Sequence, residues 1–360
     1  MKLLILTQKV DIDDDVLGFM HSWIEEFAKH CEKVTVICLQ RGRYEFPGNV
    51  RVLSLGKDEF LRLGKYFNFI RKLVAILRFY NYIIRERKNY DKVFVHMNPE
   101  YVVLGGVFWK LAGKKITLWY AHGYVPFYLK VAERLVNIIF TSTASGCRLK
   151  SRKIKIIGQG IDVNKFRTSD FGLRISGSKF KIISIGRISP SKDYATLIKA
   201  VEILKNKGIK INVKIIGGPA TESDKNYFNK LSQSVKDKNL ENEVKFIGPI
   251  ANKDIVPFLQ EADIFVNMGQ TGSLDKAMVE AMACQLPVIT CNEAMLEVLR
   301  DYRRELMYSK KDFKGLAEKI EHIYNLPVEQ FQTIGKSLRE IVVKNHSLEN
   351  LVKNIIRAIP

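Results

Sequence analysis

Residues 180–205, FKIISIGRISPSKDYATLIKAVEILK, decide how the chain is read. An apolar run, Phe180–Ile185, stops at a glycine. A Ser-Pro-Ser turn follows, and Ala195–Lys205 then places its apolar residues at helical spacing. A buried strand, a tight turn and an amphipathic helix form the repeating unit of a parallel α/β sheet. Short apolar runs at Ile211–Ile216, Val244–Ile247, Ile264–Val266 and Val288–Thr290 continue the pattern. Helical stretches are predicted over Ala195–Lys205, Lys225–Lys236, Ile255–Glu261 and Leu274–Ala283, with terminal helices over Asp312–Tyr324 and Ser347–Ile359.

The same rhythm occupies the first half. Strands are predicted at Leu3–Leu6, Val34–Leu39, Val52–Leu55, Lys92–His96, Ile116–Tyr120, Ile138–Thr141 and Ile154–Ile157. Helices fall between them at Gly18–His30, Phe60–Lys88, Tyr101–Ala112 and Val125–Leu135. The polar segment RTSDFGLRISGSK, 167–179, reads as a linker. The expected architecture is α/β, with two Rossmann-like doubly wound domains facing a central cleft. They span 1–166 and 180–340, and a C-terminal helix in 341–360 is expected to pack back on the first domain. Ligands of such sheets bind beyond the carboxyl ends of the strands.

Composition narrows the partners. The 360 residues carry a formal net charge of +20, which favours anionic ligands. Residues 1–165 hold 28 Lys and Arg against 15 Asp and Glu, so the first half carries most of the excess. The five cysteines have no CxxC spacing and read as reduced core thiols of a cytoplasmic protein. MKLLILTQKV has too short an apolar run for a leader and reads as a first strand, and no run of 18 apolar residues exists to span a membrane.

Three segments carry candidate chemistry. Arg187 and Lys192 follow a strand end and precede a helix, where a planar fork and a point charge can meet a diphosphate. Basic residues after strands are common, so this segment alone decides little. MGQTGSLDK, 268–276, supplies backbone N–H groups at the start of a second helix. Glu280 lies along that helix on the face of Lys276, Ala283 and Cys284. A surface Glu280–Lys276 pair would contribute only about 0.2–0.5 kcal/mol. Basic and apolar residues interleave over 60–88, which suits either a helix on an anionic membrane surface or a scaffold helix with a basic solvent face.

IGRISPSKDYATLIKAVEIL (185–204), GG (217–218), KFIGPI (245–250), LQEADIFVN (259–267) and VEAMACQLPVIT (279–290) occur in one order. Together they resemble the nucleotide-binding half of the retaining glycosyltransferases of family 4, glycosyl transferases group 1, which have the GT-B fold. TSTASGCRLK (141–150) and IKIIGQGIDVNKF (154–166) resemble the segment before that family's linker. The resemblance implies roles. Arg187 and Lys192 would hold the donor diphosphate, and Glu280, the second Glu of an E-x7-E motif, would bind ribose hydroxyls. His122 in TLWYAHG would contact donor sugar or phosphate. Gly18, Gly186, Gly217, Ser273, Leu274 and Lys276 would line the donor site. The first motif Glu is replaced by Gly272, and Asp275 or the 272–274 amides are the candidate substitutes. Asp13, Asp14 and Asp15 read as a solvated loop or as contacts for acceptor hydroxyls.

The resemblance implies a retaining, metal-independent transfer from a UDP- or GDP-sugar, without other cofactor, to a saccharide or lipid-linked saccharide. The enzyme would be cytoplasmic and peripheral at the inner membrane face through 60–88. A sugar-nucleotide epimerase of the same architecture and a non-catalytic nucleotide- or nucleic-acid-binding protein are the competing readings. No helix-turn-helix, zinc or RNA-binding signature favours nucleic acid.

Overall fold

The computed structural model describes residues 1–57, 59, 68–168, 179–270 and 272–359. Residues 60–67 of the basic stretch and 169–178 of the expected linker lie outside the described residues. The chain forms two compact units. The first comprises Met1–Gly160, Ala251–Lys253 and Leu348–Pro360, and the second comprises Ile161–Ile250 and Asp254–Ser347.

The first unit is built on seven parallel strands: β1 (Lys2–Val10), β2 (Lys33–Arg41), β3 (Val50–Ser54), β4 (Lys92–His96), β5 (Lys115–Trp119), β6 (Ile138–Thr141) and β7 (Ile154–Ile156). Their order is β3-β2-β1-β4-β5-β6-β7. Helices cover both faces, so the inner strands are apolar throughout rather than alternating; Leu3, Leu4, Ile5 and Leu6 of β1 are all fully buried. The helices are α1 (Phe19–His30), α2 (Asn68–Arg85), α3 (Pro99–Leu111) and α4 (Phe127–Leu135).

The second unit has five parallel strands: β8 (Phe180–Ile185), β9 (Ile211–Ile216), β10 (Val244–Gly248), β11 (Ile264–Asn267) and β12 (Val288–Thr290), in the order β10-β9-β8-β11-β12. Its helices are α5 (Tyr194–Asn206), α6 (Glu222–Asp237), α7 (Val256–Gln260), α8 (Lys276–Ala283), α9 (Met295–Leu299), α10 (Arg303–Leu306), α11 (Phe313–Asn325) and α12 (Val328–His346). In both sheets the order reverses between two central neighbours, β1 and β4 or β8 and β11. Such a reversal opens a crevice at the carboxyl ends of the strands.

Predicted strands and helices fall on observed ones with shifts of a few residues at their ends. The exceptions are the short helices α9 and α10, which were not expected, and 328–346, where no element was expected and the structure has the 19-residue helix α12. Its buried side chains include Ile334, Leu338, Val342 and His346, one per turn. That seam is too narrow for the usual amphipathic signature. Gly335 interrupts it, and a Cβ there would stand 2.2 Å from the Gln285 carbonyl oxygen. The Arg339 guanidinium then ties α12 to its surroundings, donating to the carbonyl oxygens of Phe166 (2.8 Å), Val163 (3.1 Å) and Ala283 at the end of α8.

The last helix, α13 (Leu348–Ala358), belongs to the first unit and packs against α1, burying Leu351, Val352 and Ile355. The stretch 341–360 is thus divided: α12 runs on to His346 in the second unit, Ser347 is extended, and only the residues from Leu348 join the first unit.

Candidate active site

The carboxyl edge of the second sheet gathers most of the predicted residues. β8 delivers Gly186 and Arg187, and its neighbour β9 delivers Gly217 and Gly218. The two loops are laced together: Gly186 N donates to Ile216 O (2.9 Å), and Ile188 N donates to Gly218 O (3.0 Å). A Cβ on Gly217 would lie 2.2 Å from the Gly186 carbonyl oxygen, so only glycine permits this approach. That carbonyl accepts from the hydroxyl of buried Tyr194 (2.9 Å), the first residue of α5. Burial pushes the Tyr194 pKa up, which keeps the donor protonated.

Lys192 ends a 3-10 turn, Pro190–Lys192, and its ammonium meets the Asp275 carboxylate. Asp275 is the N-cap of α8, where Oδ1 accepts from Ala277 N (3.4 Å). Its Oδ2 also accepts from Asn267 Nδ2 (3.1 Å), at the end of β11. Asn267 Oδ1 in turn accepts from Gly269 N (3.0 Å) and from the Thr290 hydroxyl (3.4 Å) at the end of β12. The edge of three strands is thereby joined to one ion pair. Asp275 therefore already serves as a cap and as the counter-ion of Lys192, in addition to any part in replacing the missing Glu.

Arg187 is freer: its side chain is 52% exposed, and Nε lies 3.9 Å from Asp224 Oδ2. Asp224 is buried at the first turn of α6, in a capping box with Thr221. Asp224 and Asn267 were absent from the predicted site. For Asp224 a signal existed: TESD, 221–224, has the capping-box spacing, which marks a helix start at a strand's carboxyl end. Two cations and two carboxylates thus face this edge. An anion binding here would meet Arg187 directly and would share Lys192 with Asp275.

Glu280 is buried, so it is not the partner in a surface pair. Burial draws the Lys276 pKa down to about 8, against the pull of Glu280 and with a further push from Lys165. A buried carboxylate and a half-buried ammonium one turn apart on α8 form a polar seam in an otherwise apolar helix. Gly272 takes a left-handed conformation (φ 72°), and the Ser273 carbonyl accepts from Asn292 Nδ2 (2.8 Å). Leu274 is buried, so at this position only the backbone can meet a polar ligand.

Two predicted residues belong to the first unit. His122 lies past the carboxyl end of β5, exposed, with Nδ1 accepting from Tyr124 N (3.0 Å). Gly18 is the N-cap of α1, and a Cβ there would fall 2.4 Å from Asp14 O. Its close approach is therefore to its own loop. The acidic loop is also engaged: Lys9 reaches Asp11 (3.0 Å) and Asp14 (2.5 Å), and Arg43 grips Asp13 with two bonds (2.8 and 2.9 Å). Asp14 Oδ1 accepts from Val16 N (2.9 Å) and Leu17 N (2.6 Å), ordering the entry to α1. Among the described residues no group of three or more His, Cys, Asp or Glu side chains converges.

Residues 165–356 match the family model for glycosyl transferases group 1. The chain belongs to that family. Among its relatives is the capsular polysaccharide biosynthesis glycosyltransferase CapM of Staphylococcus aureus, 27% identical over 229 residues, which cover 60% of this chain and 54% of CapM. The amylovoran biosynthesis glycosyltransferase AmsK of Erwinia amylovora is 30% identical over 166 residues, 44% of this chain and 38% of AmsK. The matched region thus spans about half or less of these relatives. The fold is GT-B. Anabaena HepE, solved with UDP and glucose, superposes with a TM-score of 0.75 at 18% identity, covering 99% of this chain and 98% of HepE. Sucrose-phosphate synthase from Thermosynechococcus elongatus gives 0.77 at 16% identity, with 99% and 98% covered.

Proposed function

We propose that the protein is a retaining glycosyltransferase that moves a hexosyl group from a nucleoside diphosphate sugar to a saccharide or lipid-linked saccharide acceptor, without a metal ion. The observation that carries the reading is the carboxyl edge of the second sheet. There Gly186 and Gly217 close on each other, Arg187 stands beside the start of α6, and Lys192 stands beside the starts of α5 and α8. Fixed cations and helix-start amides suit a leaving diphosphate, whose charge grows as the glycosidic bond breaks. HepE has been solved with UDP-glucose, which favours a UDP-sugar as the donor.

In this reading Lys192 and Arg187 stabilise the departing diphosphate, and Glu280 accepts hydrogen bonds from the ribose hydroxyls. Asp275 and the backbone at 272–274 take the place of the missing motif Glu against the transferred sugar. The acceptor hydroxyl attacks the face that the diphosphate leaves, and the diphosphate oxygen takes its proton, so no protein nucleophile is required.

The test is a panel of UDP-, GDP- and ADP-sugars, scored by thermal shift and by slow donor hydrolysis with and without EDTA. One nucleotide class should raise the melting temperature and be hydrolysed equally in both conditions. Binding of no member of the panel would overturn the proposal, and loss of hydrolysis in EDTA would overturn its metal independence. An epimerase would instead return an altered sugar still attached to its nucleotide.

A further inference from the structure

Helix α2 is apolar on two faces. One is the ordinary core face, with Phe79 and Ile83 buried against the first sheet. The other points to solvent: Ile70, Leu73, Leu77, Tyr80 and Ile84 recur every three or four residues and are between 37% and 61% exposed. Arg71, Arg78 and Arg85 stand seven residues apart, so they line one edge of the outward stripe. Arg78 also reaches Glu59 (2.7 Å). Helix α3 lies alongside, since the Tyr80 hydroxyl donates to Leu104 O (3.0 Å). It adds Val107 and Leu111, one turn apart and 59% and 85% exposed, next to Lys110.

A water-facing helix ordinarily turns charged residues outward, and contiguous apolar patches mark contact surfaces. The sequence left open whether this stretch meets a membrane or presents a basic face to solvent. In the structure the solvent side carries this apolar stripe beside exposed Lys72, Asn81 and Arg85. We propose that the outward face of α2, with the adjoining end of α3, docks on an anionic lipid bilayer. The apolar stripe enters the headgroup region while the arginine edge meets lipid phosphates. Charge complementarity selects this occupant. A second copy would bring a like-charged arginine edge toward a unit already rich in positive charge, which opposes association.

The experiment is flotation of the full chain with vesicles of phosphatidylcholine alone or mixed with phosphatidylglycerol. Binding is expected to the mixed vesicles and to fall as salt rises. Leu77→Glu with Ile84→Glu should lower partition more than tenfold. Replacing Arg71, Arg78 and Arg85 by Gln should lower it about fivefold per residue and flatten the salt dependence. Circular dichroism and melting curves report folding, and if the Glu variant unfolds, the Gln variant carries the test. No flotation of the wild type, or flotation untouched in the Gln variant, would overturn the proposal. So would a wild-type dimer by light scattering that Leu77→Glu dissociates without any vesicle binding. Neither donor nor acceptor enters the assay, so this proposal and the transferase reading fail separately.

Discussion

Lys192 and Arg187 each meet a carboxylate, and the two pairs differ in a way that separates their expected phenotypes. Lys192 is held by Asp275, which Asn267 and Ala277 fix in place; Arg187 only approaches Asp224 and is half exposed. Removing either cation should lower turnover by about 10²–10³ while the protein stays folded, measured by single-turnover transfer or donor hydrolysis. Asp275→Asn should act differently. It releases Lys192, so the bare nucleoside diphosphate should bind more tightly, whereas sugar transfer falls because the site loses a carboxylate. Calorimetric titration with nucleoside diphosphate, set against the transfer rate, checks both signs; tighter binding with faster transfer would refute a sugar contact. Glu280→Gln should weaken nucleotide affinity several-fold with little effect on melting, measured in the same titration.

Helix α12 supplies the clearest contrast between what the chain announces and what packing decides. Strands such as Ile138–Thr141 were legible because three apolar residues in a row followed by a β-branched threonine suit a sheet covered on both faces. Helix α12 was not, because it buries a single residue per turn and carries a glycine at its middle. That glycine answers to Gln285, far away in sequence, and no local pattern reports it. The site divides in the same way. Gly186, Arg187 and Lys192 follow one strand and could be placed from it, whereas Asn267 acquires its role only when β11 comes to lie beside β8. Gly335→Ala should therefore destabilise by about 1–3 kcal/mol in chemical denaturation, although alanine is the better helix former. A gain in stability would show that the Gln285 contact relaxes easily. His346, at the end of this helix, is buried with Nδ1 unpartnered, and burial draws its pKa down to about 4. The unfolded chain, at its ordinary value near 6.5, then binds the proton first. His346 thus contributes stability that is complete above about pH 6.5 and is lost as pH falls toward 4. The loss is at most about 3 kcal/mol. The pH dependence of the melting temperature between pH 6.5 and 4.5 should be shallower in His346→Gln.

Across the whole molecule, the second unit is an insertion in the first. The chain leaves the seven-stranded unit after Gly160 and rejoins it for good at Leu348, where α13 covers α1. Order of synthesis follows from this. While the ribosome makes residues 161–347, the first sheet already exists, but the side of α1 that Leu351, Val352 and Ile355 will shield is bare. The second unit can close on its own as soon as it emerges. The first must wait for α13, so a nascent chain stalled before Leu348 would display an open greasy surface to chaperones and proteases.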